Sequence, residues 1–181
     1  AFRLILTQVM YAIAMQKIGG TFILKIYDCF LLSTNQLIYL LSCFYNNVYI
    51  SKPNTSRYAN SEKYIICTDF KKTDTTIISE KFFRVLTVLK PIDFNTYSIM
   101  KILNVPINLY FKNQLTEINA IFGQQQIDNI ITTTKIVSFR EKKNDKLNQN
   151  KLANIQKCIN WCIQNNIPYN QFTQPSNIFL S

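Results

Sequence analysis

The pair Gly19-Gly20 separates two apolar runs that cannot share one secondary structure, and this constrains the start of the chain more than any other feature. Residues 3 to 17 hold no glycine or proline and are apolar nearly all round, as in a helix packed on a sheet within a larger domain. Thr21 to Tyr27 is a β-branched and aromatic run broken only by Lys25, the pattern of an interior parallel strand covered on both faces. Between them the glycines read as a tight turn. A lysine inside such a strand is costly unless it snorkels to an edge, pairs with an acid or serves chemistry.

Downstream, Ser33 is placed to N-cap a helix through Phe44, and Asn46-Asn47 to turn the chain into a short strand from Val48 to Ser51. Lys52 to Ser61, with Pro53, Asn54 and Asn60, is loop by composition and delivers Glu62 to the start of a third strand, Tyr64 to Phe70. The order helix, strand, helix, strand, loop, strand predicts an α/β layer architecture. A helical crossover suits a parallel first pair of strands, and a third strand reached by a loop closes more easily antiparallel. That places Lys25 and Glu62 at one edge of the sheet, within pairing reach, where open α/β sheets bind ligands. From Lys71 the character changes. Ile78 to Leu89 is amphipathic, Pro91 and Pro106 punctuate, and Ile107 to Ile131 and Asn150 to Asn165 have helical spacing. The expected division is an α/β part over 1–74 and a helical C-terminal extension over 75–181.

With 181 residues, 48% apolar and 13% aromatic, the chain has the means to build a core and is not a disordered tail. Its net charge of +10 favours an anionic partner, nucleic acid or an acidic membrane surface. A membrane span is not expected: Leu4 to Met15 is too short, and Phe30 to Phe44 is interrupted by Ser33-Thr34-Asn35-Gln36. No secretory pattern follows the start Ala-Phe-Arg, which lacks an initiator methionine as a fragment or partial gene model would. Five cysteines, odd in number and scattered, make no disulfide framework and point to a reducing compartment. Cys158 and Cys162 lie one helical turn apart, but the chain has no histidine and no second close cysteine pair, so no metal site is expected. Between the last two helices, Lys135, Arg140, Lys142, Lys143, Lys146 and Lys151 stand against Glu141 and Asp145, as a solvated connector or a phosphate-backbone contact.

Two blocks carry a family resemblance: Gly19-Gly20-x-x-x-x-Lys25, then Lys52-Pro53-x-x-Ser56-Arg57-x-x-Asn60-Ser61-Glu62-x-Tyr64. Their text and spacing resemble the second half of the FtsJ-like RNA ribose 2'-O-methyltransferases, whose catalytic set is Lys-Asp-Lys-Glu. The form is closer to the eukaryotic and large-DNA-virus cap enzymes than to the ribosomal RNA enzymes. Tyr58 stands where the family usually has proline. The resemblance covers roughly residues 1 to 70 and implies the C-terminal half of a Rossmann-like, S-adenosylmethionine-dependent methyltransferase sheet. It makes Lys25 the second catalytic lysine and Glu62 the glutamate, and puts Ser56, Arg57, Asn60 and Ser61 on the acceptor side of the site. Arg57 then contacts RNA phosphate or ties down its loop, while Tyr27 and Asp28 line the cleft or serve the core and loop capping. The first lysine, the aspartate and the Gly-rich donor loop are expected upstream of residue 1. Gly19-Gly20 follows a helix and is no donor loop.

The implied reaction is methyl transfer to a ribose 2'-hydroxyl, most directly in the first transcribed nucleotides of capped mRNA. Ribosomal RNA is the alternative substrate, and a non-catalytic RNA-binding or scaffold element the alternative role. The basic helices of the extension are placed to hold RNA or to dock other capping or transcription components. The expected setting is cytoplasm or nucleus, or a viral factory if the source is viral.

Overall fold

The structure, a computed structural model, describes residues 2–54, 56–72, 74–93, 97–138 and 144–169. The apolar run before the glycines forms α1 (Phe2–Met15), and the run after them forms β1 (Phe22–Ile26). Then come α2 (Leu32–Phe44), β2 (Tyr45–Ser51), β3 (Lys63–Phe70), α3 (Thr76–Leu89), α4 (Leu109–Ser138) and α5 (Asn144–Gln164). By packing the chain forms two compact units, Ala1–Asn129 and Ile130–Ser181, whereas the change of sequence character falls near residue 75. Among the described residues, no helix is long and apolar enough to cross a membrane.

The three strands form a mixed α/β layer with α1 and α2, but their order is β1-β3-β2, with β3 antiparallel to both neighbours. This corrects the expected β1–β2 neighbours: the two run in the same direction with β3 inserted between them. The alternation of β3 explains why it takes the centre. Lys63, Ile65 and Cys67 are buried on one face, and Phe70 rejoins that face because Asp69 adopts a left-handed backbone (φ 61°) that shifts the phase by one residue. β1, expected to be covered on both faces, buries only Leu24 and Ile26, while Ile23 is 60% exposed. A residue every second position suffices to seal it, since α1 and α2 cover one side of the sheet.

Leu6, Val9, Met10 and Ile13 form the buried stripe of α1, at the i, i+3, i+4, i+7 spacing of one helical face. The other face is not covered: Leu4, Tyr11 and Met15 are exposed. Leu37, Ile38 and Leu41 of α2 join the same core. Two local expectations fail here. Ser33 is buried within the first turn of α2, the N-cap being Leu31 with no side-chain cap. Asn46-Asn47 do not turn the chain; they belong to β2, because Tyr45 is already extended and its ring is buried edge-on to Phe70 at 5.0 Å.

Beyond β3, α3 packs on α1, and the segment after it is strapped to α2 by the buried Gln36. The Gln36 amide donates to the Leu103 carbonyl (3.0 Å) and accepts from the amides of Ile102 (2.8 Å) and Leu103 (3.1 Å). A buried amide so fully satisfied stabilises the strap where an apolar residue could not hold it. In the second unit α5 ends in a Schellman motif, with Asn166 left-handed (φ 53°), its amide donating to Ile163 and the Ile167 amide to Cys162. Lys135 lies in α4, and Lys146 and Lys151 in α5, so these are helix surface and not connector; Arg140, Glu141, Lys142 and Lys143 lie outside the described residues.

The glycine turn is also a strand cap. Gly19 (φ +74°) donates to the Phe70 carbonyl at 3.0 Å, and the Phe70 amide returns a bond to the Gly20 carbonyl at 3.3 Å. A Cβ on Gly19 would meet nothing, so Gly19→Ala should cost about 1–2 kcal/mol, from the left-handed backbone alone. A Cβ on Gly20 would run into the Lys17 carbonyl at 2.8 Å and the Gln16 side chain. Gly20→Ala should therefore be the more destabilising of the two in urea unfolding, and the reverse order would contradict this turn geometry.

Candidate active site

Antiparallel pairing sets Lys25 on β1 opposite Tyr64 on β3. Because side chains alternate across a strand, Lys25, Tyr64 and Glu62 share the outer face of the sheet while Lys63 points the other way. Lys25 Nζ lies 3.3 Å from Glu62 Oε1, with the two side chains 46% and 21% exposed. The Tyr64 hydroxyl donates to the same oxygen, Glu62 Oε1. Lys25 Nζ also stands 5.5 Å from the centre of the Tyr27 ring, within cation–π range.

Charge states follow from these contacts. The Tyr64 hydroxyl first, and Lys25 second, hold the Glu62 carboxyl below its usual value. The hydrogen bond to Glu62 holds Lys25 above the ordinary lysine value, and the same carboxylate raises Tyr64. Near neutral pH the site is an ammonium, a carboxylate and a neutral phenol. This can fix an acceptor oxygen and stabilise negative charge growing on it, but it does not present a free amine base.

Beside the pair, Pro53, Ser56, Arg57, Asn60, Glu62 and Tyr64 line an open cavity of about 300 Å³. Of the residues expected on the acceptor side, Ser56, Arg57 and Asn60 line it, and the Ser56 hydroxyl oxygen is buried without a hydrogen-bond partner among the described residues. Asn60 turns its amide oxygen inward, where it accepts from the Glu62 amide at 3.2 Å. The Ser61 carbonyl accepts from Lys63 at 3.0 Å.

The residue that organises this loop is Lys52, whose role is not evident from sequence. Its ammonium donates to the Asn60 carbonyl (2.8 Å), to Asn60 Oδ1 (2.9 Å) and to the Glu62 carbonyl (2.9 Å). Burial, then the nearby Lys63 cation, lower its pKa against the pull of Glu62. The available signal was its place: a lysine at the end of a strand, directly before a proline, facing an Asn at the other end of the same loop.

Gly19-Gly20 leads from a helix into a strand and Gly123 lies inside α4, so the described residues contain no glycine-rich strand-to-helix cradle for a nucleotide-like donor. They contain no group of three metal-ligating side chains either.

The two shifts set a pH window for stability. Glu62, depressed when folded, contributes above its unfolded value near 4.5 and loses that contribution as pH falls through the lower folded value. Lys25, raised when folded, contributes below its unfolded value near 10.5 and loses it as pH rises through the higher folded value. The stability difference between the wild type and Glu62→Gln should be level through neutral pH and shrink at both ends. Urea unfolding across pH measures it, and a difference that persists undiminished in acid would show that the pair is not an ion pair in solution.

Residues 1–70 match the family described as FtsJ-like methyltransferase. Over 83 residues the chain is 39% identical to the cap-specific mRNA (nucleoside-2'-O-)-methyltransferase 1 of Caenorhabditis elegans, a stretch covering 46% of this chain and 9% of that protein. The protein of the same name from Homo sapiens is 42% identical over 69 residues (38% of this chain, 8% of the relative). That of Trypanosoma brucei brucei is 37% identical over 68 residues (38% and 18%). The chain thus spans a small part of the length of the relatives it matches. The segment that builds the sheet, the Lys52–Asn60 loop and the Lys25–Glu62 pair lies within the residues that match this family.

Proposed function

We propose that this chain supplies the acceptor side of the active site of an RNA ribose 2'-O-methyltransferase that uses S-adenosylmethionine and acts on the first transcribed nucleotides of capped mRNA. The observation that carries it is the Lys25–Glu62 pair, 3.3 Å apart at the adjoining ends of β1 and β3, inside the matched segment and beside an open cavity edged by Arg57. In this reading the three strands belong to a larger Rossmann-like sheet. The methyl donor is held by parts of the protein other than the described residues. With all five cysteines unpaired, the proposed setting is a reducing compartment, nucleus or cytoplasm.

Each residue has a definite task. Lys25 holds the ribose 2'-oxygen and stabilises the charge that grows on it as the O–H bond weakens. Acting instead as a neutral base near neutral pH would require its pKa to fall far below the ordinary lysine value, and the hydrogen bond to Glu62 moves it in the opposite direction. Glu62 therefore keeps Lys25 charged and aimed, Tyr64 keeps Glu62 ionised, and Arg57 offers a guanidinium to an RNA phosphate at the cavity rim.

In a longer form of the protein that methylates RNA, Lys25→Ala should lower kcat on the order of 100-fold or more while RNA affinity stays nearly unchanged. Glu62→Gln should fall in kcat by less, with the same split. Equal losses in turnover and affinity would mark either residue as a binding group. Short RNAs with and without a cap, and ribosomes, decide the substrate: exclusive methylation of ribosomes would overturn the cap assignment.

A further inference from the structure

Between Glu62 and Tyr64 sits a second cation on the opposite face of the sheet. Lys63 is 5% exposed, and its ammonium donates to the Tyr27 carbonyl and the Ser61 carbonyl, both at 3.0 Å. Those carbonyls belong to the segment just after Lys25 and to the residue just before Glu62. Lys63 thus ties the end of β1 to the entry of β3 beneath the pair those strands display. It also stands over the ring of Phe122, whose centre lies 5.8 Å from Nζ, and acts electrostatically on the buried Cys29 thiol. A buried ammonium is costly unless its donors are used. Here two neutral carbonyls and an aromatic face do that work without a carboxylate, so the cation depends on the ring being where it is.

Phe122 stands in α4, beyond residues 1–70, and it does not act alone. Phe111, Leu115, Asn119, Phe122 and Gln126 recur at the spacing of one helical face. Phe111 lies edge-on to Tyr39 at 5.1 Å and Leu115 is buried. The Asn119 amide donates to the Cys29 carbonyl (3.1 Å), in the loop that leaves β1, and the Gln126 amide to the Ala59 carbonyl (3.3 Å), in the loop that enters β3. A helix that only sealed a core would present apolar side chains. This stripe instead reaches both loops that flank the Lys25–Glu62 pair, with Phe122 on the cation between them.

We propose that Lys63 and Phe122 are positioning residues for the Lys25–Glu62 pair, and that α4 is thereby a working part of the site and not an appendage to it. The catalytic meaning of this rests on the methyl-transfer reading; the positioning does not.

The test uses the 181-residue chain with 13C-labelled lysine, reading the side-chain resonance of Lys25 by NMR as it titrates. Lys63→Met keeps the stem and removes the charge, and Phe122→Leu keeps an apolar residue and removes the ring. Both should move the Lys25 titration toward that of an unpaired lysine, whereas Lys63→Arg and Phe122→Tyr should stay close to wild type. Should Lys63→Met fail to fold, half-buried Phe122→Leu still decides the matter. An unchanged Lys25 titration in Phe122→Leu overturns the proposal. In a methylating form, Phe122→Leu should also lower kcat on the order of 10-fold with the KM for RNA unchanged, and Phe122→Tyr should restore it. The resonance is read without RNA or donor, so failure of the methyl-transfer reading leaves that arm intact.

Discussion

The pairing of β3 with β1 is the constraint on which the rest of the site depends. Its register puts Lys25 opposite Tyr64, and the period of two then decides which of three successive residues, Glu62, Lys63 and Tyr64, turn outward. A slip of one position would exchange the carboxylate and phenol for the buried lysine and leave a cation facing Lys25. The register is held at both ends. At one end Gly19 and Gly20 exchange backbone hydrogen bonds with Phe70, and at the other the Lys63 ammonium joins the Tyr27 and Ser61 carbonyls.

Three lysines within this small region do different work because their surroundings differ. Lys25 is half-exposed, paired with a carboxylate, and held as a cation by it. Lys52 spends its donors on the backbone and amide oxygens of Asn60 and on Glu62, closing the loop between β2 and β3. Lys63 is buried among carbonyls and a ring. The net charge of +10 bears on none of these roles, which depend on where each ammonium finds its acceptors. Of the three, Lys25 is the one that is half-exposed beside a carboxylate.

The described chain joins residues inside the family match to residues beyond it. The match to the family ends at residue 70, yet the loops around the pair are gripped by Asn119, Phe122 and Gln126, and α2 is strapped by Gln36 to residues 102 and 103. A stretch without a family match can still complete the packing of one that has it, because buried donors and acceptors must be satisfied by whatever chain is near.

Sequence alone determined the elements and the candidate pair. An apolar stripe, a Gly-Gly stop and a β-branched run are local patterns, and the two motif blocks by themselves single out Lys25 and Glu62. It also predicted a loop over 52–61, an antiparallel third strand, and helices beyond residue 75, all of which the structure contains. Strand order was not legible, since a crossover helix is compatible with adjacent parallel strands and with a gap into which a later strand inserts. Nor was the work of Lys52, Lys63 and Phe122: each is an unremarkable residue until a partner distant in sequence is brought to it. Periodicity shows which face of a segment is buried, but what lies against that face is a long-range fact, decided only when β3 closes between β1 and β2 and α4 comes down on the loops at its end.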